Sequence, residues 1–317
     1  MPSPATRRPP VPPPLAALVG PTASGKTELS LALAQRLPVE VLVADSRQVY
    51  RGMDVGTAKP DVADRVGVPH HLLDVVDPDA SFTVADWVER ARQLVPQIWD
   101  RGRLPLVVGG TGLYVSALVD GHDLASQPWS PEVRRELAME LETEGLPALV
   151  ARLETLDPAA AARTDLHNPR RVLRALERAI AGGGASAPPA REPWPGRVAL
   201  LGLSRPRPVL DHRIAERSAW IFDHGLLDEA RTLAARGYGP ELPALSGHGY
   251  REALAVLAGE LSREEAVALT TRHTRQYAKR QLTWFRRDRR IVWLDAGEGP
   301  AAALADKASD LVRRLTA

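Results

Sequence analysis

Several features that are common in proteins are missing from this chain of 317 residues. It contains no cysteine, which excludes disulfides, thiolate catalysis and cysteine-ligated zinc and favours a cytoplasmic location. No apolar run approaches the roughly 18 residues of a membrane span, so we expect no membrane partner. Residues 1–14 are proline-rich, carry Arg7 and Arg8, and lack the apolar core of a signal peptide. They predict a disordered extension.

The remaining composition is that of an ordinary globular enzyme. Hydrophobic residues make up 44% of the chain and charged residues 25%, both typical of soluble enzymes. A chain of this length can bury a full core and exceeds one average domain. We therefore expect one large domain with an insertion.

A phosphate-binding loop follows the first predicted strand, an apolar run at residues 15–19. The next eight residues match the pattern G-x-x-x-x-G-K-[ST] without a mismatch, and apolar residues at helical spacing follow. A strand, a glycine loop and a helix N-terminus together aim backbone N–H groups at an anion. Lys26 adds a positive charge for the terminal phosphate, and the Thr27 hydroxyl can ligate Mg²⁺. The predicted loop consists of Gly20, Pro21, Thr22, Ala23, Ser24, Gly25, Lys26 and Thr27.

Strand and helix signals alternate from residue 15 to about residue 118. Apolar runs predict further strands at residues 39–44 and 104–108, and helical spacing predicts a helix at residues 82–99. This alternation indicates an α/β fold, a P-loop NTPase-like parallel sheet flanked by helices. Gly20, Asp45 and Gly109 each follow a strand, and the carboxyl ends of parallel strands share one edge of the sheet. We expect these three residues to line one crevice.

The strand signal fades after residue 120. Residues 131–144, 146–156 and 168–180 predict helices, and residues 182–196 form a Gly/Ala/Pro-rich loop or linker. A strand at residues 198–203 returns the chain to the sheet, after which helices dominate. We therefore predict a core of residues 15–120 and 197–317 that is interrupted by an α-helical insertion domain of residues 121–196.

The residues that follow the predicted strands indicate which reactions a phosphate-binding site could catalyse. Phosphate-loop kinases and hydrolases usually hold Mg²⁺ with an acid after a strand such as 104–108. Gly109, Gly110, Thr111 and Gly112 follow that strand instead, which weakens an ATPase interpretation. Thr111 either adds a hydroxyl to the site or lies in a tight glycine turn. Asp45 either caps the next turn or presents a carboxylate that takes a proton or holds a metal through water.

Two further polar segments have opposite interpretations. The adjacent pair His70-His71 predicts a structural role, because no carboxylate lies beside it at ligand spacing. Residues 272–290 hold eight Lys/Arg and one acid, a charge of +7 that leaves −5 for the rest of a chain of net charge +2. Tyr277 and Trp284 interleave with these cations on a predicted helix, a pattern typical of nucleic-acid binding, although a solvated helix face is the alternative. The helix at 168–180 adds a second basic surface.

Together these segments closely resemble the tRNA dimethylallyltransferases, also called tRNA isopentenyltransferases. The resemblance is collinear from residue 15 to about residue 294. It implies transfer of a dimethylallyl group from dimethylallyl diphosphate to N6 of the adenosine just 3′ of the tRNA anticodon. The matching stretches are GPTASGKT (20–27), ADSRQVYRGMDVGTAKP (44–60), HHLLD (70–74), VVGGTGLY (107–114), NPRRVLRALE (168–177), GYRE (249–252) and TRQYAKRQLTWFR (274–286).

The resemblance also implies roles for individual residues. The phosphate loop would hold the diphosphate leaving group with Mg²⁺ at Thr27, Asp45 would be the general base, Thr111 would lie beside the reacting centre, and Arg217 would bind the diphosphate. The sequence departs from the commoner family pattern at His248, where a small apolar residue or Cys is expected. The implied tRNA contacts are Asp45, Ser46, Arg47, Gln48, Arg170, Arg171, Arg174, Ser246, Gly247, His248, Gly249, Tyr250, Arg251, Lys279, Arg280, Gln281, Thr283, Trp284 and Arg286.

Three other functions stay open at this point. A P-loop kinase of a nucleoside or small metabolite would need a lid of arginines and the missing acid. A non-enzymatic RNA-binding protein would leave the phosphate loop unexplained. Prenylation of free AMP would need neither the insertion nor the basic helix. For the oligomeric state we take a monomer as the default.

Overall fold

The structure is a computed structural model that describes residues 12–122, 130–182 and 192–317. The chain divides into two compact units, one of residues Met1–Asp120 with Pro193–Ala317 and the other of residues Gly121–Glu192. Most of the predicted extension (residues 1–11) and most of the predicted linker (residues 183–191) lie outside the described residues. Pro13 is anchored, because its carbonyl accepts a hydrogen bond from Trp194 Nε1 at 2.9 Å. The predicted extension of residues 1–14 therefore reaches too far.

The larger unit is built on one sheet. Its strands are β1 (Leu15–Val19), β2 (Val39–Ala44), β3 (His70–His71), β4 (Leu104–Gly109), β5 (Val198–Ser204) and β6 (Val292–Asp295). All pairs are parallel and the order is β3-β2-β4-β1-β5-β6. The predicted parallel α/β fold is confirmed. The sequence signals missed β3 and β6, the two edge strands, because runs of two and four residues are too short to show a period.

Thirteen α-helices and one short 3₁₀ turn, at Ala301–Leu304, occur in the described part of the chain. The four helices between Pro131 and Ala181 form the smaller unit, and the others belong to the larger one. They are α1 (Lys26–Ala34), α2 (Val62–Gly67), α3 (Val84–Asp100), α4 (Gly112–Asp120), α5 (Pro131–Thr143), α6 (Gly145–Leu156), α7 (Pro158–Arg163), α8 (Pro169–Ala181), α9 (Arg207–Asp223), α10 (Leu226–Ala235), α11 (Tyr250–Leu257), α12 (Arg263–Phe285) and α13 (Ala305–Thr316).

The central strands are apolar because helices cover the sheet on both faces, which leaves no polar side. Every residue of β1 and β2 is buried. Glu40 of β2 is a charged residue in an otherwise apolar strand. Its carboxylate forms hydrogen bonds with Arg101 Nη2 at 2.6 Å and with His71 Nε2 at 2.7 Å. The Arg101 guanidinium and then His71 lower the pKa of this carboxyl group. His71 thus has the structural role that its sequence context predicts.

The smaller unit has its own apolar core. Leu137, Leu149, Leu153 and Leu176 are almost completely buried and pack together. Polar N-caps start its helices, since Ser130, Asp157 and Asn168 each accept a hydrogen bond from a backbone N–H in the first turn.

The long helix α12 ends before the basic segment does. It starts at a capping box formed by Ser262 and Glu265, and its last residue is Phe285. The basic segment of residues 272–290 therefore continues beyond the end of the helix. Arg290 follows the helix and pairs with Asp288 at 2.6 Å and Asp120 at 2.8 Å, which fixes the turn into β6.

Candidate active site

The carboxyl ends of the central strands surround one cavity of about 600 Å³. Its wall includes Thr22 after β1, Asp45 after β2 and Gly109 at the end of β4. These strands are neighbours in the sheet, so the turns that follow them meet at one edge. Of the three residues predicted to line one crevice, Asp45 and Gly109 do so, whereas the loop after β1 reaches the cavity through Thr22 rather than through Gly20.

The phosphate loop needs glycine at two positions. Gly20 has a φ of +150°, and a Cβ atom there would lie 2.4 Å from the Leu203 carbonyl oxygen. Gly25 has a φ of +100° and is the N-cap of α1, whose first residues are Lys26 and Thr27. The positive end of α1 therefore faces the cavity together with the Lys26 side chain, whose Nζ donates to the Pro21 carbonyl at 2.7 Å.

Lys26, Arg217 and Asp45 lie in the cavity wall and act on one another electrostatically. Loss of hydration lowers the pKa of Lys26 to about 8, Asp45 opposes this shift, and Arg217 reinforces it. Burial likewise lowers the pKa of Arg217, whose Nη2 donates to the Thr57 carbonyl at 3.2 Å. The cavity wall as a whole carries equal numbers of Lys/Arg and Asp/Glu side chains. Lys26, Arg217 and the N-terminus of α1 nevertheless place positive charge at the phosphate loop, which favours an anionic ligand there.

Two further arginines support the phosphate loop, and the sequence reasoning missed both. Arg213 Nε donates to the Ala23 carbonyl at 3.0 Å, and Arg205 Nε donates to the Ser24 carbonyl at 2.8 Å. These bonds fix two successive carbonyls of the loop in place. Arg213 lies four residues before Arg217 on α9 and also lines the cavity. That spacing is the sequence signal that could have found it.

The geometry of Asp45 fits both predicted roles, capping of the next turn and presentation of a carboxylate to the site. Its Oδ1 accepts hydrogen bonds from the N–H of Arg47 at 2.8 Å and of Gln48 at 3.4 Å, so it caps the turn after β2. The residue also lines the cavity. Thr111 joins the adjacent strand ends, since its N–H donates to Ala44 at 3.1 Å and its hydroxyl accepts from Ser46 N–H at 3.1 Å.

An aromatic cluster lies beside Thr111. Burial raises the pKa of Tyr277 to about 12, and its hydrogen bonds to Thr111 and Gln281 oppose the shift. The His248 ring lies edge-on to Tyr277 at 5.8 Å and 5.7 Å from the His273 ring. Burial lowers the pKa of His248. The histidine at the position that departs from the family pattern thus packs on two rings of α12.

The residues predicted to contact tRNA divide into exposed and buried groups. Tyr250 and Gln281 are 1% and 6% exposed, and Gly247 and Gly249 are buried as well. Arg47 ties the turn after β2 to another predicted segment, donating to the Ala244 carbonyl and to Ser246 Oγ, each at 3.1 Å. The exposed members are Ser246, Arg251, Lys279, Arg280, Thr283, Trp284 and Arg286 on the larger unit and Arg170 and Arg171 on the smaller one.

Within the described ranges, no helix is both long and apolar enough to cross a membrane. The same ranges contain no cluster of three or more His, Cys, Asp or Glu side chains that could hold a metal. Thr27, the predicted Mg²⁺ ligand, is exposed on the cavity wall.

The fold and site define a phosphate-loop α/β protein with a cavity suited to a phosphate chain. The chain belongs to the IPP transferase family, whose model matches residues 48–288, and a model named isopentenyl transferase matches residues 13–74. The tRNA dimethylallyltransferase of Moorella thermoacetica is 44% identical over 92% of this chain and 94% of that protein. Its counterpart in Symbiobacterium thermophilum is 45% identical over 95% and 94%, respectively.

Solved structures agree with this assignment. The tRNA isopentenylpyrophosphate transferase of Bacillus halodurans matches with a TM-score of 0.70 and 40% identity, covering 95% of this chain and 97% of that one. A eukaryotic dimethylallyltransferase acting on tRNA matches with a TM-score of 0.72 and 25% identity, covering 90% of this chain and 74% of that one.

Proposed function

We propose that this protein transfers a dimethylallyl group from dimethylallyl diphosphate to the exocyclic N6 of the adenosine just 3′ of the tRNA anticodon. The observation that carries the proposal is the placement of Lys26 and Arg217 beside Asp45 in the cavity at the phosphate loop. An allylic diphosphate supplies the anion that these cations need. Membership of the IPP transferase family supports the same chemistry.

The leaving group sets the first requirement of this reaction. An allylic C–O bond breaks readily because the carbon fragment is a resonance-stabilised cation, so catalysis consists mainly of stabilising charge on the departing diphosphate. The N–H groups of the phosphate loop, Lys26 and Arg217 would supply that stabilisation. The half-buried positions of Lys26 and Arg217 strengthen these interactions relative to bulk water.

Mg²⁺ fits this site as a companion of the diphosphate. The Thr27 hydroxyl on the cavity wall is an oxygen donor of the type that Mg²⁺ prefers, and phosphate oxygens and water would complete the shell. When bound, the metal would neutralise charge on the leaving group.

The nucleophile sets the second requirement. The lone pair of the adenine amine is delocalised into the ring, so a base must take its proton as the new C–N bond forms. We assign this role to Asp45, which would contribute about 10²- to 10⁴-fold. The proton passes to the carboxylate as the C–O bond to diphosphate breaks. Thr111, whose hydroxyl contacts Ser46 N–H next to Asp45, would lie beside the reacting centre.

A tRNA acceptor would explain why basic side chains are exposed on both units. The target base must leave the anticodon stack, at a cost of a few kcal/mol, to reach a cavity at the sheet edge. Lys279, Arg280 and Arg286 would bind RNA phosphates, and Trp284, which is 39% exposed, offers a stacking surface. Arg170, Arg171 and Arg174 give the smaller unit a proposed role in holding the same RNA. A tRNA substrate places the proposed reaction in the cytoplasm.

An acceptor comparison tests the proposal. Labelled dimethylallyl diphosphate is incubated with an anticodon stem-loop, with AMP and with no acceptor, and labelled product is counted. We expect product mainly on the stem-loop. A clear preference for AMP would contradict the assignment of tRNA as substrate. Phosphoryl transfer from ATP to a small acceptor would favour the kinase interpretation instead.

A further inference from the structure

Gln281 has the geometry of an internal support rather than of an RNA contact. It lies on α12 among residues that the family resemblance assigns to tRNA binding, yet it is only 6% exposed. Both ends of its amide group are used. Its Oε1 accepts the Thr22 N–H at 2.8 Å, and its Nε2 donates to the Gly110 carbonyl at 2.9 Å.

These two bonds join the phosphate loop to the turn after β4. Thr22 belongs to the loop that follows β1, and Gly110 follows the neighbouring strand. The close approach of α12 depends on glycine, because a Cβ atom at Gly110 would lie 2.1 Å from Gln281 Nε2. Tyr277, one turn earlier on the same helix, lies close enough to Gln281 and Thr111 for both to act on its pKa. The inner side of α12 therefore contacts two of the loops that form the cavity.

We infer that Gln281 is a positioning residue of the diphosphate site, which holds the phosphate loop in its binding conformation through Thr22 and Gly110. The inference rests on the proposed function, since it takes the loop to be the diphosphate site. An amide suits this task because it offers one acceptor and one donor at fixed spacing. A backbone N–H and a carbonyl left unpaired by its loss would favour other loop conformations.

Binding of inorganic diphosphate without RNA tests this inference, because a residue that only contacts tRNA cannot affect it. Gln281→Met keeps the length of the side chain and removes both hydrogen bonds. We expect it to bind diphosphate roughly 5- to 30-fold more weakly, because a smaller fraction of the protein holds a competent loop. The affinity for an anticodon stem-loop should stay within about twofold of the wild-type value, since the amide bonds Thr22 and Gly110 rather than an exposed surface. Gln276→Met, at an exposed position of α12, is the matched control and should leave diphosphate binding unchanged.

A second variant covers the case in which Gln281→Met folds poorly. Gln281→Glu keeps an acceptor for Thr22 and, in its charged form, opposes the Gly110 carbonyl. Protonation restores a donor, so diphosphate affinity relative to wild type should recover as the pH falls. A general structural defect would show no such recovery.

The possible outcomes separate the two proposals. Weaker diphosphate binding by Gln281→Met, with stem-loop affinity retained, supports the positioning role. Unchanged diphosphate binding with weaker stem-loop binding would overturn it and make Gln281 an RNA contact. A wild-type protein that binds no diphosphate would overturn the proposed function and, with it, this inference.

Discussion

Binding of diphosphate should be accompanied by protonation of the Lys26 amine. Loss of hydration lowers the pKa of this ammonium group from its usual 10.5 to about 8, so about half of the free protein carries a neutral lysine at pH 8. A bound diphosphate restores the charged form, because its negative charge offsets the lost hydration. The uptake per bound diphosphate is then about 0.1 proton at pH 7, about 0.5 at pH 8 and about 0.9 at pH 9.

Titration calorimetry in pairs of buffers with different ionisation enthalpies measures this uptake directly. Lys26→Arg is the control, because arginine stays charged throughout this range and the protonation of diphosphate itself cancels in the comparison. We expect the difference between wild type and variant to rise from pH 7 to pH 9. Equal proton uptake by the two proteins at pH 8 would refute the assignment of a lowered pKa to Lys26.

The same shift predicts the pH dependence of stability in the free protein. Between pH 8 and 10.5 the Lys26 amine binds fewer protons in the folded state than in the unfolded state. The free energy of unfolding should therefore rise as the pH rises through this window. Lys26→Met removes the dehydrated charge and should raise the free energy of unfolding by about 1 to 3 kcal/mol at pH 7. Urea denaturation should show this gain shrinking towards pH 10. If the gain in the free energy of unfolding does not change with pH, it cannot come from the lowered pKa of Lys26.

Three further substitutions test other parts of the site. Asp45→Asn should lower single-turnover transfer by about 10²- to 10⁴-fold while stem-loop binding is retained; near-normal transfer would remove Asp45 from the role of base. Gly112→Ala places a Cβ atom 2.2 Å from Trp284 Cδ1 and should cost about 1–3 kcal/mol in urea denaturation. Gly67→Ala meets nothing within 4 Å and should show no such loss; equal losses would contradict the packing argument. Glu229→Gln should cost about 1–3 kcal/mol in the same assay, because Glu229 accepts hydrogen bonds from three successive backbone N–H groups; an unchanged midpoint would refute this anchoring role.

The sequence predicts the parts of the fold that have a local cause. Buried central strands are continuous apolar runs, so β1, β2, β4 and β5 are found within one residue of their observed ends. The phosphate loop is equally local, because Gly20 and Gly25 are required by backbone angles within the loop itself. The edge strands β3 and β6 depend on pairing with distant residues, which no short run can reveal.

The sequence predicts the site residues at the strand ends better than it predicts the roles of the residues on α12. Charge composition identifies the basic segment but not the end of the helix, which stops at Phe285, five residues before the segment does. The same pattern groups Gln281 with the exposed cations Lys279 and Arg280. Its burial arises because Gly110 and its neighbours leave room for α12 to pack on the turn after β4. Such a contact joins residues 171 positions apart and has no local signature.

The most direct test of the proposed function is nucleoside mass analysis of total tRNA after incubation with this protein and dimethylallyl diphosphate. The expected result is a new modified nucleoside with the mass of adenosine bearing one dimethylallyl group, located next to the anticodon and absent from the reaction with Asp45→Asn. tRNA that stays unmodified while AMP is prenylated, or an adenosine that gains phosphate from ATP, would contradict the account.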